Sequence, residues 1–144
     1  MSRRSLLTAG AAAVLLPLVL TGCSGTAGWL PRERHGVAAT PAALELAWST
    51  PASQPSWLPG DATRIRWVAA TRGGADRAPA ALLADSDAPL PRSCRPTEHH
   101  ERAAITAAWT PRSADRVLRC GGWAVTAVDG GYYAWTPVEP VAGS

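Results

Sequence analysis

Apolar side chains follow two regimes along this chain. From Leu6 to Leu20 they form a run interrupted by Gly10 and Pro17, whereas from about Pro41 to Pro137 they recur mostly at alternate positions. Alternation places side chains on opposite faces of an extended strand, so a half-buried β-strand shows it and an amphipathic helix does not. Leu44, Leu46 and Trp48 share one side of a candidate strand, and Ile65, Trp67 and Ala69 share one side of another, with Arg64 and Arg66 opposite. Turn-forming residues separate the apolar segments at Pro51 to Gly60, at Arg72, Gly73 and Gly74, and at Asp85 to Arg92.

A short signature recurs at uneven spacing: Trp48-Ser49-Thr50-Pro51, Trp109-Thr110-Pro111 and Trp135-Thr136-Pro137. A residue before proline is biased toward extended geometry, and proline has no N–H to donate to a ladder, so each occurrence predicts the end of a strand. Residues 97–110 are ambiguous. Their Glu, Arg and Ala content, with Thr97 as N-cap, suits a helix, while Ile105, Ala107 and Trp109 suit a strand. The Trp-Thr-Pro ending favours strand, and a helical turn over Glu98 to Arg102 followed by a strand satisfies both signals.

The C-terminal hairpin has two registers, Trp123 to Val128 and Tyr132 to Pro137 being the arms. A two-residue Asp129-Gly130 turn sets Ala124 opposite Trp135 and separates Trp123 from Trp135. A three-residue loop with Gly131 as a left-handed bulge residue pairs Val125 with Trp135, and gathers Trp123, Val125, Tyr133 and Trp135 on one face. Burial contributes roughly 25 cal/mol per Å², so the second register is expected. The fold class is mainly β: a small antiparallel sandwich or open barrel of about six strands with at most a short helix and one disulfide.

Composition changes this picture in two ways. The sequence has no Lys, Phe or Asn but seven Trp, the profile of a GC-rich coding sequence, so Trp serves as an ordinary bulky core residue as well as a candidate contact. Without Lys there is no Schiff-base lysine, no P-loop lysine and no Ser-x-x-Lys site.

The apolar run ends at Leu20-Thr21-Gly22-Cys23. These residues, behind a positive end and an apolar stretch, resemble the lipobox of bacterial prolipoproteins. The resemblance covers residues 1–23 and implies that Cys23 takes a diacylglyceryl thioether, that signal peptidase II cuts before it, and that Cys23 becomes the lipidated N-terminus. The apolar stretch of fifteen residues is also short for a permanent span, which needs about 20. Ser2-Arg3-Arg4-Ser5-Leu6-Leu7 resembles a twin-arginine export signal, with Leu6 where that motif usually has Phe; a Sec signal stays the alternative. Arg3 and Arg4 leave with the leader, so twelve of the fourteen basic residues remain against eleven acidic ones. Such a balance calls for no nucleic-acid partner. The expected organisation is a signal peptide at 1–22, a flexible tether at 23–40, a β-rich domain at 41–137 and a disordered tail at 138–144.

In an exported chain Cys94 and Cys120 are expected to form a disulfide. A competing use joins Cys94, His99, His100 and Cys120 in a zinc or copper site, although adjacent histidines in a strand face opposite ways and would need a turn to converge. Glu98, His99, His100 and Glu101 hold candidate general bases, but no Gly-x-Ser-x-Gly or His-Glu-x-x-His pattern accompanies them, and a solvated turn is the plainer account. Asp85 and Asp87 around Ser86 lack the remaining ligands of a calcium loop. Trp29 falls in the tether, where disorder or contact with the membrane interface is expected. Trp57, within Ser56-Trp57-Leu58-Pro59, is a candidate binding surface for a sugar ring or a protein, or, folded back, a lid over an open end of the sheet.

The expected function is a noncatalytic envelope lipoprotein, on the extracytoplasmic face of the cell membrane through the lipid on Cys23, with another envelope protein or a cell-wall polymer as partner and no cofactor. A small-ligand or metal-binding lipoprotein ranks below it, and a small envelope hydrolase last.

Overall fold

A computed structural model describes residues 33–74, 77–98 and 102–137. The leader, Cys23, Trp29, the first part of the tether, His99, His100 and the tail at 138–144 lie outside the described residues.

The strands are β1 (Glu33–Ala38), β2 (Thr63–Ala70), β3 (Ala80–Asp85), β4 (Arg95–Pro96), β5 (Val117–Cys120), β6 (Trp123–Val128) and β7 (Gly131–Thr136), with one helix, α1 (Pro41–Ala47). They join in a single antiparallel open sheet of order β1-β2-β3-β7-β6-β5-β4. The chain thus forms the expected mainly antiparallel β domain with one short helix and a Cys94–Cys120 disulfide, its strands numbering seven among the described residues.

Both faces of the sheet are buried. On the first face Ile65, Trp67, Leu82, Trp123, Val125 and Ala134 meet Leu44, Trp48 and Trp57 from α1 and the loop that follows it. On the second, Val68, Ala81, Ala124, Tyr133 and Trp135 meet Ile105 and the flanking part of the segment between β4 and β5. The alternation read at Ile65, Trp67 and Ala69 holds, all three lying on the first face. Arg64 and Arg66 are exposed, but Val68 and Ala70, on their side of the strand, are covered. Arg64 has φ of 48° where the β2–β3 register shifts, and its guanidinium pairs with the Asp85 carboxylate.

Four expectations are corrected. Leu44, Leu46 and Trp48 belong to α1 and its C-cap, not to a strand. Thr40 caps the helix, its hydroxyl accepting from Ala43 N–H at 3.2 Å, and Pro41 suits the first turn because no N–H is needed there. Leu44 and Trp48, one turn apart, are buried, whereas Leu46 is 90% exposed, which is helical spacing. Second, the sheet begins before Pro41: Glu33–Ala38, expected as tether, is edge strand β1, paired along its length with β2. Opposite Gly36 the indole of Trp67 lies so close that a Cβ there would sit 2.4 Å from the ring.

Third, the hairpin takes the two-residue turn. Ala124 pairs with Trp135 and Val128 with Gly131, and Gly130 is the residue with positive φ, 74°. The aromatic residues need not share a face, because each face has its own core: Trp123 buries in the first and Trp135 in the second. Fourth, the described part of 97–110 is neither helix nor strand; it is an irregular cover that buries Ile105 and half-buries Trp109. The Trp-Thr-Pro signature accordingly ends a strand only at β7, and follows α1 or sits in that cover in its other two occurrences.

The loops are tied by side chains. Trp48 Nε1 donates to Ala52 O at 2.8 Å, and Tyr132 Oη to Ala88 O at 2.7 Å. Asp61 accepts from the Ser86 hydroxyl at 2.6 Å and from the N–H groups of Asp87 and Ala88 at 3.3 and 3.2 Å. The Ser86 bond above all, with those two backbone donors, holds the Asp61 carboxyl below its ordinary 3.8 against a smaller opposing effect of desolvation. A carboxyl depressed in the folded state adds stability above its unfolded pKa and loses it as pH falls through the folded one. Wild-type stability is therefore expected to decline below about pH 3.8, and Asp61→Asn to lack that component of the decline. Urea unfolding of both proteins across the acid range checks the difference; equal pH slopes would contradict it.

Candidate functional site

The Cys94–Cys120 disulfide, of sequence separation 26, ties the start of β4 to the end of β5 and buries both sulfurs beside Trp123, which pairs with Cys120 across β5 and β6. Closing a loop of that length restricts the unfolded chain, so the Cys94→Ala, Cys120→Ala variant is expected to lose about 3 kcal/mol in urea unfolding, with Tm lower by roughly 15 °C. A variant as stable as wild type would show that the sheet edge needs no bridge. Paired sulfurs are not thiolate ligands, so the mixed sulfur and nitrogen metal site loses two of its four donors in this state; His99 and His100 lie outside the described residues.

The other candidates separate in space. Trp57 is 4% exposed and its ring lies 6.2 Å from that of Trp123, so it is a lid inside the first core and offers no contact surface. The Asp85 carboxylate is engaged by Arg64, and Ser86 and Asp87 bond to Asp61, so the residues considered for calcium serve to fasten loops. Among the described residues no group of three or more His, Cys, Asp or Glu side chains is placed to hold a metal ion. No helix among them is long and apolar enough to cross a membrane.

A site absent from the sequence reading lies on the second face. The segment that covers this face folds back through a turn in which Thr110 N–H donates to Ala107 O at 2.9 Å, and Ala107 N–H to the Thr110 hydroxyl at 2.8 Å. Between this segment and β7 lies an open cavity of about 460 Å³, lined by Arg102, Thr106, Thr110, Arg112, Tyr133 and Trp135 among others. The volume is in the lower part of the range for small-molecule sites, about 300–1,000 Å³. Arg102 and Arg112 are exposed, and neither has an ion-pair partner among the described residues.

Tyr133 forms the inner wall. Its ring is held edge-on by Trp109 at 6.2 Å and lies 5.5 Å from that of Trp135, leaving the residue 3% exposed. Burial pushes the phenol above its ordinary pKa, opposed in part by the neighbouring Thr110 hydroxyl. The Tyr133 Oη is itself buried, without accessible surface toward the cavity, and meets no partner at full hydrogen-bond geometry. The sequence carried no signal for this site, because its two arginines sit ten positions apart in a segment without period. In the sequence Tyr133 reads only as a residue of a core face.

Comparison with protein-family models, curated proteins and solved structures returns no match.

Proposed function

We propose that the protein is a lipid-anchored, noncatalytic binding module on the extracytoplasmic face of a bacterial cell membrane, with an envelope protein or cell-wall polymer as its partner. The observation that carries this reading is Leu20-Thr21-Gly22-Cys23 at the end of a short apolar leader. Cysteine after two small residues at that place is there to be acylated, and acylation by diacylglycerol supplies the two chains that stable anchoring needs. A disulfide in the domain supports the same compartment, since such bridges persist outside the reducing cytosol. Lipid-modified Cys23 then tethers the sheet to the bilayer at a distance set by the chain between Cys23 and β1, at most about 3.3 to 3.6 Å per residue.

The test is phase partition. Full-length protein expressed in a bacterial host is expected in the detergent-rich phase, and Cys23→Ser in the aqueous phase or retained as an uncut precursor. Equal partition of the two proteins would overturn the anchor.

A further inference from the structure

We propose that the Cys94–Cys120 bridge is a one-way latch. The second face of the sheet closes when these two cysteines are oxidised, and in the reduced chain the segment 102–116 stands open over a folded first face. The device does not depend on the lipid anchor; only the compartment in which it closes is that of the reading above.

The cover is irregular, and it reaches the sheet through a small apolar contact. Ile105 is buried, and Ala103, Ala107, Trp109 and Ala114 are half-buried, against a face that carries Val68, Ala124, Tyr133 and Trp135. The cover leaves the sheet through β4 and returns through β5. β4 is two residues long, and its Pro96 has no N–H to give to β5; the next residue, Thr97, donates its N–H to Val117 O at 3.1 Å. So short an edge strand opens readily unless something else fixes it. The disulfide fixes it, joining Cys94, directly before β4, to Cys120, the last residue of β5, and so tying both ends of the loop that carries the cover. With the ends tied, a cover that comes away gains the freedom of a closed loop. With the ends untied β4 leaves too, and the open form gains the entropy that the bridge withholds.

The first face is held by other means and is expected to outlast reduction. Its cover is fixed by the Thr40 cap, by the bond from Trp48 Nε1 to Ala52 O, and by the contacts of Trp48 and Trp57 with Trp67 and Trp123. The strands β1, β2, β3, β7 and β6 pair with one another without the bridge.

Burial gives the latch its direction. Cys94 is 8% and Cys120 4% exposed, so in the closed form a dithiol does not reach the bond, whereas in the open form β4 carries Cys94 into solvent. Closure is a thiol–disulfide exchange with a disulfide as oxidant. One cysteine thiolate attacks a sulfur of the oxidant and expels a thiolate; the second then attacks the mixed disulfide and expels the other. The two cysteines lose two protons and two electrons, and the oxidant leaves as two thiols.

Limited trypsin digestion of the full-length protein in detergent micelles tests the latch. The chain has no Lys, so trypsin cuts at arginines alone: Arg102, Arg112 and Arg116 report on the cover, and Arg64 and Arg66 on β2. Protein refolded from urea in dithiothreitol is expected to be cut at the cover sites at least about tenfold faster than the bridged protein, and well before Arg64 and Arg66, because cleavage follows the population of the open form. Oxidised glutathione is expected to restore protection in wild type and not in the Cys94→Ser, Cys120→Ser variant. Without urea, dithiothreitol is expected to leave the bridge of the folded protein intact. The proposal is overturned if bridged and reduced proteins are cut alike at the cover, if the reduced chain is cut at Arg64 and Arg66 as fast as at the cover, or if oxidised glutathione restores no protection. Ready reduction of the folded protein would equally overturn a one-way latch. The digestion does not depend on acylation of Cys23, so its failure is distinct from a failure of the partition test.

Discussion

Gly131→Ala is expected to leave the domain unable to hold β7 against β3, with a stability loss of at least about 4 kcal/mol in urea unfolding, or no cooperative transition at all. A Cβ at Gly131 would stand 2.0 Å from the Ala84 carbonyl oxygen and 2.8 Å from Asp85 Cα, both backbone atoms of the adjacent strand. No rotamer relieves a contact with backbone, so the two strands must separate. They separate at the centre of the sheet, since β3 and β7 join the pair β1-β2 to the group β6-β5-β4. Gly130→Ala serves as the control. Its Cβ meets no atom within 4 Å, so the cost there is only that of a side chain at φ 74°. A Gly131→Ala protein with wild-type stability would show that β3 and β7 do not approach as described.

Trp123→Ala carries the second large effect, about 3 to 5 kcal/mol, the range for truncating a fully buried aromatic residue. Trp123 is among the largest side chains that are completely buried, and its ring lies 6.1 Å from that of Trp48 and 6.2 Å from that of Trp57. It therefore links β6, the end of α1 and the loop that closes the first face. The cavity left by alanine has a rigid floor, because the disulfide and the sheet restrict collapse from beneath. Trp123→Phe separates volume from hydrogen bonding: the indole N–H has no partner, so phenylalanine forfeits packing but no bond. Chemical unfolding is expected to rank wild type above Trp123→Phe, and Trp123→Phe well above Trp123→Ala. An alanine variant within about 1 kcal/mol of wild type would contradict the first core.

The class of fold was legible in the sequence because alternation at Ile65, Trp67 and Ala69 and the turn residues on either side of that strand are local signals. The Cys94–Cys120 bridge was legible for a similar reason, as two cysteines remained to be paired. What failed were choices that depend on the other side of the sheet. The hairpin register was argued from the face that would gather the most aromatic side chains, a sound rule for a sheet with one wet face. Here the segment carrying Ile105 and Trp109 covers the second face, so Trp123 and Trp135 are buried on opposite sides without penalty. The helix α1 was hidden because Leu44, Leu46 and Trp48 fit alternation as well as a helical turn, and the Thr40-Pro41 cap was the signal that decides between them. Likewise Glu33–Ala38 is exposed at four of its six positions and buried only at Ala38, so only its pairing with β2 reveals a strand.

The candidate site was less legible than the fold. Arg102 and Arg112 come together with Tyr133 only because an irregular segment returns over β7, and no residue pattern encodes that return. Trp57 admitted two uses in sequence, a contact surface and a lid folded back over the sheet, and the loop folds inward over Trp123 as the lid requires.

The most direct measurement of the central claim is the intact mass of the protein purified from the membrane fraction of a bacterial host. A chain beginning at Cys23, heavier than its peptide mass by a diacylglyceryl thioether, with or without a further acyl chain on the new N-terminus, is the expected result. A chain that keeps Met1 to Gly22 and carries no lipid on Cys23 would contradict it.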